Sequence, residues 1–139
     1  MTTASPLSSY AASDGAAYEI FLGRWTRRLG DALLGFARFP ADGALLDAGC
    51  GTGSLAIAMA ARWPGRRVTG IDIAQPYIDF ARARAAGGPG FEIGDLGHLP
   101  FPDRSFAGAA AQLVLNFVGD PDQALSEMRR VTRPGGVVP

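Results

Sequence analysis

Three glycines at alternate positions, Gly49, Gly51 and Gly53, follow a short apolar run, Ala44-Leu45-Leu46-Asp47, and precede a helical stretch from Ser54 to Arg62. Glycine reaches backbone conformations that side chains block, so the chain turns tightly there and a ligand approaches the main chain closely. The first N–H groups of the following helix point at whatever negative group such a ligand carries. The spacing is G-x-G-x-G preceded by an acid, and position 54 is Ser, where the dinucleotide fingerprint G-x-G-x-x-G asks for a third glycine. A nicotinamide-dependent oxidoreductase is therefore disfavoured.

The rest of the chain repeats the alternation of strand and helix. Ala16 to Arg38 carries apolar residues at three- and four-residue steps, the helical period, weakened by Gly23, Gly30 and Gly35. Arg67 to Ile73 predicts a second strand with Asp72 near its end, Pro76 opens a helix that runs through Ala85, and Phe91-Glu92-Ile93 predicts a third strand. Asp95 to Arg104 is expected to be a loop. Ala107 to Val118 is a nearly continuous apolar run, the signature of a central strand of a parallel sheet. Asp120-Pro121-Asp122-Gln123 predicts a helix start with a capping box, Arg129, Arg130 and Arg133 complement the helix C-terminus, and Pro134-Gly135-Gly136 ends it. Val137-Val138 begins a fifth strand. The expectation is one α/β domain over residues 14–139, preceded by a mobile tail over 1–13, with ligands bound outside the carboxyl ends of the strands.

Composition closes several other routes. Thirteen basic residues balance thirteen acidic ones, so bulk charge favours neither nucleic acid nor an anionic membrane as partner. One cysteine, Cys50, and one histidine, His98, make neither an internal disulfide nor a structural zinc site of about four N/S ligands, and no metal is expected. Phe106 to Gly119 is broken by Gln112 and Asn116 and is shorter than the ~18 residues of a membrane span. Met1 to Ser13 has no basic or apolar signal region, which predicts a cytoplasmic protein.

Asp47-Ala48-Gly49-Cys50-Gly51-Thr52-Gly53 resembles the first motif of class I S-adenosylmethionine-dependent methyltransferases. Leu99-Pro100-Phe101-Pro102-Asp103-Arg104-Ser105-Phe106 and Met128 to Gly136 resemble downstream signatures of the type 11 subgroup, and the likeness extends from about Tyr18 to Val138. The resemblance implies a Rossmann-like parallel sheet with flanking helices and S-adenosyl-L-methionine as cofactor. It implies that Asp72 holds the ribose hydroxyls, that Ile73 covers one adenine face, and that Asp95 and the Leu96 N–H meet the adenine edge. Asp47 would orient the methionine end, with Gly49, Cys50, Gly51 and Gly53 forming the loop beneath. Two departures stand out: Ala107 replaces the subgroup's usual Asp, and the sequence stops as the fifth of seven family strands begins. A truncated domain, strands 1 to 4 and the start of 5, is the expectation.

Other candidates carry less. Gln112 and Asn116 break the apolar fourth strand near its carboxyl end, and Gln112 is taken as a cofactor contact. Tyr18 and Arg24 lie in the helix that resembles the subgroup's lid. His98 reads better as a solvated loop residue than as a base, and no catalytic residue is assigned. None is required, since the sulfonium carries its own leaving group and in-line transfer asks chiefly for positioning and exclusion of water. The function expected is methyl transfer to a small-molecule acceptor. The alternative is a cofactor-binding module without turnover, whose apolar fourth strand would lie nearly at a sheet edge and invite a homodimer.

Overall fold

The computed structural model describes residues 14–139; the segment 1–13, expected to be a mobile tail, lies outside the described residues. The chain runs α1 (Gly15–Ala37), β1 (Leu45–Ala48), α2 (Ser54–Arg62), β2 (Val68–Asp72), α3 (Gln75–Arg84), β3 (Gly90–Ile93), β4 (Phe106–Ala110), α4 (Pro121–Val131) and β5 (Thr132–Val137). Two single-turn 3-10 helices, Leu96–His98 and Leu115–Phe117, lie in the loops that flank β4. All strands are parallel and ordered β3-β2-β1-β4-β5. The chain steps outward from β1 to β3, then crosses to the other side of β1, which leaves the crevice between β1 and β4 that open α/β sheets use for ligands.

β1 explains why a four-residue apolar run suffices for a central strand. Successive side chains point to opposite faces, so Leu45 enters one core with Leu34, Leu55, Met59, Val68, Ile78 and Phe91. Leu46 enters the other with Ile71, Leu99, Phe106, Met128 and Val131. α1, α2 and α3 supply the first layer and α4 the second. Among the described residues no helix is long and apolar enough to cross a membrane.

Three boundaries depart from the sequence reading. The fourth strand ends at Ala110 rather than Val118, because Leu113 adopts a left-handed backbone (φ 56°) that no strand continues through. α4 stops at Val131, where the Thr132 hydroxyl donates to the Met128 carbonyl (2.7 Å), and β5 begins two residues before the expected break and includes it. Pro134 is tolerated there because β5 is the outermost strand and its register on β4 is bulged. β4 is consequently interior, with β5 rather than β4 at the edge.

The α4 start behaves as expected in one half only. Asp120 accepts from the Gln123 N–H (3.0 Å), but the Gln123 side chain donates to the Gly97 carbonyl (3.0 Å) instead of closing a capping box. Arg130 likewise serves the loop before β4. Its guanidinium donates to the Leu99 and Phe101 carbonyls (2.9 Å each), to Asp103 (2.8 Å) and to Glu127. Truncating it strands two carbonyls and two carboxylates, and Arg130→Ala should cost about 1–3 kcal/mol. Urea unfolding checks this; an unchanged midpoint would show that the loop holds without it.

Candidate functional site

The glycine turn closes the top of β1. Gly49, Gly51 and Gly53 have φ of 74°, 53° and 90°, the left-handed region that favours glycine. The Gly49 and Cys50 N–H groups both donate to the Ile71 carbonyl (2.8 and 2.9 Å), so the loop is tied to β2. A side chain at Gly49 would collide with Val114, and one at Gly53 would meet the Phe91 ring at 2.8 Å. A Cβ at Gly51 would meet nothing within 4 Å, so there the bare backbone faces open space.

That space is a cavity of about 890 Å³ above the carboxyl ends of the strands, within the roughly 300–1,000 Å³ usual for small-molecule sites. Every residue assigned to the cofactor from the sequence lines it except Gly53, which sits behind the wall and shapes the turn. Asp72 is half-buried and accepts from the Gly51 N–H through Oδ2 and from the Ala74 N–H through Oδ1, both at 2.9 Å. A carboxylate has about four lone-pair positions, so Asp72 retains capacity for a ligand diol. Ile73 presents an exposed face beside it, and Leu96 is buried across the cavity. Asp95 caps the first 3-10 turn, accepting from the Gly97 N–H through Oδ1 (2.8 Å).

Asp47 is the buried member of this acidic set. Its Oδ2 accepts from the Ala56 N–H of α2 (3.0 Å), yet burial pushes the carboxyl up to about 7, with the nearby Asp72 adding to the effect. Cys50 is buried as well; burial first, then Asp47 and Asp72, raise its thiol well above the usual range, so it is an inert wall. His98 is exposed and does not line the cavity.

Gln112 has a different role from a simple ligand contact. Its Nε2 donates to the Thr26 carbonyl of α1 (2.8 Å), while its buried Oε1 has no partner. A buried acceptor without a donor is costly, and a cavity-wall residue in that condition suits a ligand that brings N–H groups. Tyr18 joins the lining from α1, whereas Arg24 is exposed and outside it.

Sequence reasoning missed Glu19, which reaches down from α1 to the start of α2. Its Oε1 accepts from the Thr52 hydroxyl (2.6 Å) and the Ser54 hydroxyl (3.2 Å). The one signal was Gly23, one turn later, where any side chain would collide with the Glu19 carboxylate. Leu113 and Phe117, on the far rim, were also missed because the run containing them looked like strand.

The charge pattern narrows the ligand. Asp47, Asp72 and Asp95 line the cavity and no basic side chain among the described residues does. Glu19 sits where a helix N-terminus would otherwise favour a phosphate, so the site fits a ligand rich in hydroxyl, amino and cationic groups and not a pyrophosphate. Sheet order, glycine turn and acidic cavity together define a class I S-adenosylmethionine-dependent methyltransferase fold. The family model described as a methyltransferase domain matches residues 46–138, and the chain belongs to that family. S-adenosyl-L-methionine is the methyl donor that accompanies it.

The chain is 40% identical over 112 residues to a malonyl-(acyl-carrier protein) O-methyltransferase of Serratia marcescens, covering 81% of this chain and 43% of that protein. It is 38% identical over 117 residues to a demethylmenaquinone methyltransferase of Thermus thermophilus, covering 81% and 51%. Among solved structures, the (4+2)-cyclase SpnF superposes with a TM-score of 0.73 at 33% identity, covering 83% of this chain and 44% of that one. The chain thus spans about half the length of these relatives or less.

The Asp47 carboxyl yields a pH test. An unfolded aspartate titrates near 3.9, whereas folded Asp47 titrates at about 7. The folded state therefore holds the proton more tightly; its advantage is complete below the unfolded value and is lost as pH rises through about 7. From pH 5 to 8 this group should remove about 2–3 kcal/mol of stability, and Asp47→Asn, which still accepts from Ala56, should abolish that slope. Urea unfolding across the range checks it; parallel curves for the two proteins would refute the assignment.

Proposed function

We propose that the protein binds S-adenosyl-L-methionine in this cavity and transfers its methyl group to a small, largely apolar acceptor. The observation that carries the reading is a cavity over a glycine turn with three carboxylates and no basic side chain among the described residues. When bound, the cofactor supplies an activated methyl group together with its own leaving group.

The chain's part is to bind, orient and keep water out. Asp72 accepts from the ribose hydroxyls while tying the glycine turn through Gly51, so the same carboxylate shapes the loop and meets the ligand. Ile73 and Leu96 provide apolar surfaces for the adenine, and Asp95 an acceptor at its edge. Asp47, ionised once the ammonium group of the ligand's amino-acid end stands nearby, balances that charge at the base of the cavity. Gln112 offers its unpartnered oxygen to an N–H of the ligand.

The opposite rim selects the acceptor. Phe21, Leu22, Leu113, Phe117 and Val118 form an apolar wall with Asn116 as a neutral polar group. Such a wall excludes water and holds an apolar acceptor in line, which is how positioning lowers the barrier. The two curated relatives carry the names of methyltransferases for chemically different acceptors, and the structurally similar SpnF is titled a cyclase. Fold alone therefore does not choose the acceptor; the apolar rim supports this choice.

Asp72→Asn tests the cofactor half. The amide still accepts from the Gly51 N–H but loses the charge and the second equivalent oxygen, and affinity for S-adenosylhomocysteine should fall about tenfold or more. Calorimetric titration of the folded variant reads it. Unchanged affinity would reject the ribose assignment.

A further inference from the structure

α1 roofs the cavity with Tyr18, Phe21, Leu22 and Thr26. This N-terminal half is its weakly packed part, burying only Gly15, Gly23 and Thr26, whereas Leu34 and Ala37 anchor the other end in the core. Ile20, Trp25 and Phe36, none of them in the cavity lining, stand largely in solvent, so packing secures only one flank of the helix. Segments with few buried contacts open locally at low cost, which gives weight to each polar tie that anchors them.

One such tie joins three helices at a single carboxylate. Besides the Thr52 and Ser54 hydroxyls at the start of α2, Glu19 Oε1 faces Arg84 of α3 at 3.2 Å, and Oε2 pairs with Arg27 of α1 at 2.9 Å. Arg84 is itself fixed, donating to the Thr52 carbonyl (2.8 Å) and the Ser54 hydroxyl (2.7 Å). The Glu19 side chain is only 13% exposed, so solvent screens these contacts less than those of an open surface pair. Gly23 leaves room for the carboxylate to lie against α1.

We infer that Glu19, held by Arg84, is the positioning residue that docks α1 onto the glycine turn and so governs how long the cofactor stays bound. Glu19 lies outside the cavity lining and acts through Thr52 and Ser54, neighbours of the turn that the ligand rests on. The inference builds on the cofactor reading of the cavity.

The test uses the full chain, Glu19→Ala and Glu19→Gln, with two readouts: amide hydrogen exchange without ligand, and the dissociation rate of S-adenosylhomocysteine. Glu19→Ala should lose at least tenfold protection in α1 with α4 protection unchanged, and should release the ligand at least tenfold faster. Glu19→Gln, which keeps an acceptor for the hydroxyls but neither ion pair, should fall between. Wild-type protection of α1 in both variants would overturn the inference, as would equal loss in α1 and α4, which marks general destabilisation. An unchanged dissociation rate alongside a loosened α1 would overturn the link to the cofactor. If the wild type itself bound no S-adenosylhomocysteine, the cofactor reading and the control over retention would fall together, and exchange in α1 would still decide the docking role.

Discussion

The Ile71 carbonyl accepts from two consecutive N–H groups, Gly49 and Cys50, and its neighbour Asp72 accepts from Gly51. Through these three bonds the end of β2 dictates the path of the chain leaving β1. Parallel pairing of β1 with β2, Ala48 opposite Ile71, brings the donors and acceptors together. Everything above the sheet follows from that path. The turn delivers α2 at an angle that buries Leu55 and Met59, offers the Ala56 N–H to Asp47, and leaves the Gly51 backbone facing the cavity.

The same arrangement sets the electrostatics. Asp47 and Asp72 lie at the carboxyl ends of the adjacent strands β1 and β2, so the crevice gathers acidic groups without any basic lining residue among those described. One carboxylate resists ionisation because it is buried, while the other remains half-buried and already serves two backbone amides. A ligand bringing hydroxyl donors and positive charge relieves both conditions; an anionic one relieves neither. Positioning, more than proton transfer, fits a site whose rim opposite the carboxylates is apolar.

Local features of the fold were legible in the sequence. α2 spans Ser54–Arg62 as periodicity predicts, because a glycine turn and Pro64-Gly65 bound it on both sides, and Asp120 caps α4 as its residue type suggests. The glycine turn and its acids were legible because backbone geometry demands glycine there. What escaped depends on distant partners. The run after Ala110 keeps an apolar pattern, yet the chain leaves the sheet so that Val114 packs on Gly49. Gln123 finds Gly97, Arg130 finds the loop before β4, and Glu19 finds Thr52, contacts that separations of 26 to 33 residues hide. Gly23 and Gly30 looked like flaws in α1; Gly23 makes room for Glu19, and a Cβ at Gly30 would come within 3.4 Å of Gln112 and Leu55.

Calorimetric titration of the 139-residue chain with S-adenosylhomocysteine addresses the central claim most directly. One site per chain with a dissociation constant in the roughly micromolar range is expected, accompanied near pH 7 by proton release as Asp47 ionises. A folded chain that binds none at millimolar ligand would contradict the cofactor site.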